Sequence, residues 1–183
     1  MTGYPSIDKP WLKYYSQEAI NSSLPECTLY DYAWEKNKNR LTDIVLEYYG
    51  TRITYDYFFK QIRQAADAFS SAGIQSGDVV TIMSLCTPET IISIYALNYI
   101  GAVANMVYIT LSEKEIINTL EKTHSRMLII LDISLSQITS IQTAIKCPIM
   151  VIGVSDSLPI HLKLVYKLKI GQISIIFYHG RVF

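Results

Sequence analysis

Charge is sparse in this 183-residue chain, and neither sign is in excess. Lysine and arginine number 16, aspartate and glutamate 16, so the formal net charge is zero. A neutral chain has no basic field to hold a phosphate backbone, which argues against a nucleic-acid partner, and no polybasic run marks a membrane surface. Cysteine is scarce too: Cys27, Cys86 and Cys147 are odd in number, widely spaced and without a C-x-x-C. That argues against a disulfide framework and a zinc site, and fits a reducing cytosol, so a cytoplasmic location is expected. The N-terminus lacks the apolar segment of a signal peptide. The eight glycines are scattered, and neither G-x-x-x-x-G-K-[ST] nor G-x-G-x-x-G occurs. Even the most apolar stretch, Ile91 to Leu111, carries Asn98 and Asn105 and is split at Gly101-Ala102. It reads as a buried helix followed by a buried strand, not a membrane span.

What is present is hydrophobic: half of the residues are apolar and 17% are charged. Such a chain folds rather than staying disordered, and its length suits one domain with a proper core. Residues 1–27, with Pro5, Pro10 and Pro25, read as an irregular N-terminal arm. Residues 28–157 carry the regular pattern, and 158–183 form a weakly patterned tail of the same domain.

Within the patterned region, Thr28 caps a short helix whose shared face is read as Leu29, Tyr32 and Ala33. Ile44–Tyr49 and Arg52–Thr54 make a hairpin turned at Gly50-Thr51. Thr54 opens the clearest helix, with an apolar stripe of Phe58, Ile62, Ala65, Ala66 and Phe69, stopped at Gly73. Val79–Leu85 is a buried strand. Thr87-Pro88-Glu89 starts a helix with a capping hydroxyl, a proline at the first position and an acid at the positive end of the dipole. It runs to Ile100 and stops at Gly101, before a strand over Ala102–Tyr108. Ser112-Glu113-Lys114-Glu115 is a capping box. Met127–Leu131 is a strand, Ser136–Ile145 a helix and Pro148–Val154 a strand. Short apolar strands alternating with helices predict an α/β fold: a mostly parallel sheet with helices on both faces.

Five pieces of this pattern resemble, in order and spacing, the N-terminal part of the adenylate-forming enzymes. That superfamily comprises acyl-CoA synthetases, peptide-synthetase adenylation domains and luciferases. The pieces are Asp8-Lys9-Pro10-Trp11 in the arm; Thr54-Tyr55 at a helix start; Gly73, Gly77, Asp78 and Val80 in a turn and strand; Pro88-Glu89; and Gly101-Ala102-Val103. The likeness covers residues 5 to 155. One departure is Tyr57, where the family has a glutamate, so the reciprocal half of a capping box is lost. The resemblance implies an ATP- and magnesium-dependent ligase that converts a carboxylate to an acyl-adenylate, releases pyrophosphate and passes the acyl group to a thiol. It also implies a Ser/Thr/Gly-rich phosphate loop ending in Pro-Lys, a ribose-binding aspartate and a catalytic lysine. None of these is found here, and they are expected beyond Phe183. The chain is therefore expected to be an incomplete N-terminal subdomain. No catalytic, cofactor-binding or metal residue is assigned to it, it is expected to be inactive alone, and its expected partner is the remainder of such an enzyme.

Other candidates for chemistry have plainer readings. His124 follows a helix, where its charge suits the dipole. His161 and His179 share no metal-ligand spacing. Gly77-Asp78 is a tight turn before a buried strand, although it could be read as an anion-binding turn. Cys86 precedes a helix N-terminus, which favours a thiolate, but buried small cysteines are common. Tyr55, Tyr57, Phe58 and Phe59 are core material before they are a base-stacking platform. Two alternatives to the ligase fragment stay open: an interaction module that docks a complementary fragment through exposed apolar surface, and a small independent α/β enzyme.

Overall fold

The structure is a computed structural model that describes the backbone of residues 2–174 and the side chains of residues 2–168. Six strands occur among the described residues: β1 (Ile44–Tyr48), β2 (Thr51–Thr54), β3 (Val79–Met83), β4 (Val103–Val107), β5 (Met127–Leu131) and β6 (Ile149–Ile152). The helices are α1 (Pro5–Asp8), α2 (Gln17–Asn21), α3 (Leu29–Asn37), α4 (Tyr55–Ser71), α5 (Pro88–Tyr99), α6 (Glu113–Lys122), α7 (Leu135–Thr139) and α8 (Ile160–Ser174).

β1 and β2 pair antiparallel, with Tyr48 opposite Thr51. The two-residue loop, Tyr49-Gly50, has φ of 49° and 89°. Positive φ at both central positions matches the right-handed twist of the strands, and glycine takes it without strain. The other four strands form a parallel sheet in the order β4-β3-β5-β6. The chain starts at β3, steps out to β4, crosses back to β5 and continues to β6.

Side chains alternate along each strand, so the sheet feeds two cores. One contains Val80, Ile82 and Ile129 from the sheet, packed with Phe58, Phe59, Ile62, Ala66 and Phe69 of α4 and Ala96 and Leu97 of α5. The opposite core joins Met83, Leu128 and Ile130 to Ile116 and Leu120 of α6 and Ile138 of α7. Every residue of β5 is buried, as two covered faces require.

The helix starts fall where their capping residues are. Thr28, Thr54, Thr87 and Ser112 each accept a hydrogen bond from the backbone N–H three residues on. Thr54 caps Tyr57 N–H at 3.4 Å, and the tyrosine there offers no reciprocal acceptor. At Ser112 the box is complete, and the serine hydroxyl and N–H hold the Glu115 carboxyl below the ordinary carboxylate range.

Several local expectations are corrected. The arm is not irregular throughout: it makes α1, a 3-10 turn over Pro10–Tyr14 and α2, with none of their residues buried. The inward face of α3 is Tyr30, Ala33 and Trp34, not Leu29, Tyr32 and Ala33. Tyr30 sets it, packing edge-on against Phe59 and Tyr99 while its N–H donates to Asn98 Oδ1 and its hydroxyl accepts from Arg63. The helix expected over Ser136–Ile145 is α7, which begins at Leu135 and ends at Thr139. Past Asp156, where the pattern fades, the chain forms α8.

Between β3 and the end of α6 runs a chain of hydroxyls whose direction can be worked out. Thr123 Oγ1 donates to the Thr119 carbonyl at 2.8 Å, so it accepts from Ser125 Oγ at 2.6 Å. Ser125 then accepts from Thr81 Oγ1 at 2.6 Å, and Thr81 accepts from the Asn105 amide at 3.0 Å. Each hydroxyl donates once and accepts once. Thr81 is 1% exposed, and its partners Asn105 and Ser125 are half-buried. Thr81→Val is isosteric but strands two groups, and is expected to lower unfolding free energy by about 1–3 kcal/mol in urea titration. A loss below about 0.5 kcal/mol would show that this chain of bonds carries no net stability.

Candidate functional site

Ligands of open α/β sheets bind outside the carboxyl ends of the strands, where the strand order reverses. Here that point lies between β3 and β5, the strands from which the chain departs and to which it returns. The polar residues at this edge come from five elements. After β3, Ser84 Oγ lies 2.5 Å from Thr90 Oγ1, and Thr87 Oγ1 lies 3.1 Å from it. After β5, Asp132 Oδ1 accepts from the Tyr166 hydroxyl of α8 at 2.7 Å and from Val154 N–H at 3.3 Å. In the first turn of α5, Glu89 Oε1 accepts from the Ser157 hydroxyl. Its other carboxylate oxygen, Oε2, is buried and has no hydrogen-bond partner.

These contacts tie α5, the β6 loop and α8 to one edge. Burial raises the Tyr166 phenol well above its ordinary range, and donation to the Asp132 carboxylate raises it further. Burial also raises Tyr48, with Tyr49 and the Glu89 carboxylate adding to it. The carboxyl edge is thus a place where carboxylates and phenols hold segments together by hydrogen bonds. Among the described residues, none of these hydrogen bonds joins a nucleophile to a base.

The residues singled out in the sequence are dispersed. Cys86 is on the carboxyl edge and exposed, while Cys27 is exposed and Cys147 half-buried; all three thiols are free. His124 is at the opposite, amino edge, with φ of 50° and its N–H bonded to the Glu121 carbonyl at 3.2 Å. His161 is exposed on α8, and His179 lies outside the described residues. Gly77 N–H donates to the Gly101 carbonyl, and Asp78 Oδ2 accepts from Gln75 N–H at 2.9 Å. These donors are taken by protein acceptors, which supports the tight-turn reading. Of the aromatic run, Phe58 and Phe59 are buried, Tyr55 stacks on Phe59, and Tyr57 is exposed. The Glu89–Ser157 and Asp132–Tyr166 pairs escaped sequence reasoning. The one signal was position: each acid follows the carboxyl end of an apolar strand.

The resemblance implies nucleotide and magnesium for a whole enzyme. Among the described residues no three His, Cys, Asp or Glu side chains converge. No loop of the 183 residues has the Ser/Thr/Gly-rich composition ending in Pro-Lys.

The phenol of Tyr166 gives a pH dependence of defined sign. Its folded pKa lies above the ordinary 10.0, so folding retains a proton that the unfolded chain releases. The stability it contributes is complete below pH 10 and declines as pH rises through the interval up to the folded value. Tyr166→Phe is expected to flatten the alkaline decline in stability, followed by urea midpoint from about pH 9 to 11.5. An unchanged slope would mean that the phenol is not held by Asp132.

A sequence profile described as AMP-binding enzyme matches residues 33–167. The long-chain-fatty-acid–CoA ligase of Bacillus subtilis is 25% identical over 166 residues, 90% of this chain and 30% of its own length. The acetyl-coenzyme A synthetase of Chlorobaculum tepidum is 24% identical over 123 residues, 67% of this chain and 19% of its own. Among solved structures, a benzoate CoA ligase from Burkholderia xenovorans superposes with a TM-score of 0.65 at 18% identity, over 68% of this chain and 26% of that one. The N-terminal subdomain of Klebsiella oxytoca NpsA superposes with a TM-score of 0.57 at 23% identity, over 68% of this chain and 29% of that one. At those identities the structural likeness establishes the fold, and the chain spans under a third of each relative's length. With the profile covering most of the chain and the same α/β architecture, this protein belongs to the AMP-binding enzyme family.

Proposed function

We propose that this chain is the N-terminal portion of an ATP-dependent, AMP-forming ligase acting on an acyl or amino acid. The observation that carries the proposal is the family match over residues 33–167, coupled to relatives of which the matched stretches make up only 30% and 19%. In this reading the chain supplies the doubly covered sheet and some wall of the acyl pocket. The phosphate loop, the ribose-binding acid and the catalytic lysine belong to the remainder of the enzyme, its natural partner. Catalysis there rests on orientation and on charge stabilisation at the transferring phosphorus.

A second reading, a module that docks a complementary fragment, is favoured by one observation. α8 leaves Ile160, Leu164, Val165 and Leu168 exposed, and apolar residues grouped this way are uncommon on a finished surface. A concentration-independent monomer that binds no apolar dye would count against docking.

The purified 183-residue chain is expected to show no carboxylate-dependent exchange of pyrophosphate into ATP above background, with acetate, benzoate or a long-chain fatty acid. Exchange above background would overturn the assignment of the nucleotide machinery to the remainder.

A further inference from the structure

We infer that the amino edge of the sheet carries a second binding site, for a small amphipathic anion such as a medium-chain carboxylate. A cavity of about 550 Å³ opens there, within the size range of small-molecule sites. It lies at the end of the strands remote from the switch point, so it is distinct from the crevice described above. Four separate segments form it: the end of α4, the end of α6, the start of β5 and the loop leading into β6.

The floor is aliphatic. Ile74 and Leu120 are buried, and Ile117 and Ile145 are half-buried beside them. The rim carries two cations, Arg126 and Lys146, with one carboxylate, Glu121, and His124 among the other lining residues. Arg126 is 64% exposed, and its ion-pair partner Asp78 comes no nearer than 3.7 Å. Among the described residues, Lys146 makes no ion pair.

The carboxyl ends of α4 and α6 also face this edge, and a cation near each is favourable in its own right. Those ends are nevertheless closed by their own backbone. Gly73 and Ile74 N–H bond back to Ser70 and Phe69, and His124 and Ser125 N–H to Glu121 and Leu120. The helix ends therefore explain why basic residues are tolerated, but not why they ring an aliphatic recess. Ser125 contributes no free hydroxyl, because its proton and one lone pair are committed to Thr123 and Thr81. The recess thus offers two exposed cations beside an apolar floor, one of them, Lys146, without an ion pair among the described residues. Its complement is one anionic head on a hydrocarbon body, held by charge-assisted hydrogen bonds and burial.

The test uses the full chain, octanoate below its micellar concentration, and amide NMR. Saturable shifts are expected at Ile117, Ala144, Ile145 and Cys147, and octylamine is expected to bind at least about ten-fold more weakly. The double variant Arg126→Ala, Lys146→Ala, which alters only exposed side chains, is expected to weaken octanoate by about ten-fold while leaving octanol unchanged. Ile117→Trp, which fills the recess, is expected to abolish binding, and circular dichroism checks that it folds. Absence of saturable binding, equal binding of octylamine, indifference to the double variant, or shifts confined to the Asp132 and Glu89 edge would each overturn the assignment. Co-sedimentation with anionic phospholipid vesicles would also overturn it, because a bilayer cannot enter a recess bounded by four segments.

Discussion

Burial of β3 and β5 on both faces is the constraint on which the rest of this structure depends. Every residue of β5 and four of five in β3 are inside, so neither strand exists without α4 and α5 on one side and α6 on the other. That requirement explains the run Met-Leu-Ile-Ile-Leu, which has no polar alternation. It also explains why the one polar residue within β3, Thr81, must be satisfied by Asn105 and Ser125.

From the sheet outward, each attachment has a distinct cause. α3 is fastened by aromatic edge contacts onto α4, through Tyr30 and Trp34 on Phe59, and the hairpin by Ile53, Val45 and Leu46 against the same core. The carboxyl edge is fastened by hydrogen bonds to carboxylates, through Asp132 and Glu89. The amino edge is left as a recess with a cationic rim. The family relation and the doubly covered sheet agree, because the solved ligase structures that superpose on this chain share the α/β architecture.

Much of this was legible because it is written in local chemistry. Threonine or serine at positions 28, 54, 87 and 112 starts a helix wherever it stands before a helical stretch, and the four caps are formed. Gly73 and Gly101 stop helices because each takes a positive φ, 87° and 78°. What was not legible depends on partners distant in sequence. The choice of Tyr30 and Trp34 over Leu29 and Tyr32 is made by Phe59 and Tyr99, which α3 alone cannot foresee. α8 escaped notice because its apolar and basic residues make no clean stripe, and because Tyr166 finds Asp132 only after the sheet has formed. The resemblance located the family, but it was silent on both edges of the sheet.

Native-state amide hydrogen exchange on the 183-residue chain tests the central constraint most directly. If two-sided burial organises the fold, the amides of β3 and β5 exchange slowest and share one opening free energy, with α1 and α2 exchanging fastest. If β3 and β5 exchange as rapidly as α1 and α2, the sheet is not self-supporting, and the fold described here exists only when further protein covers it.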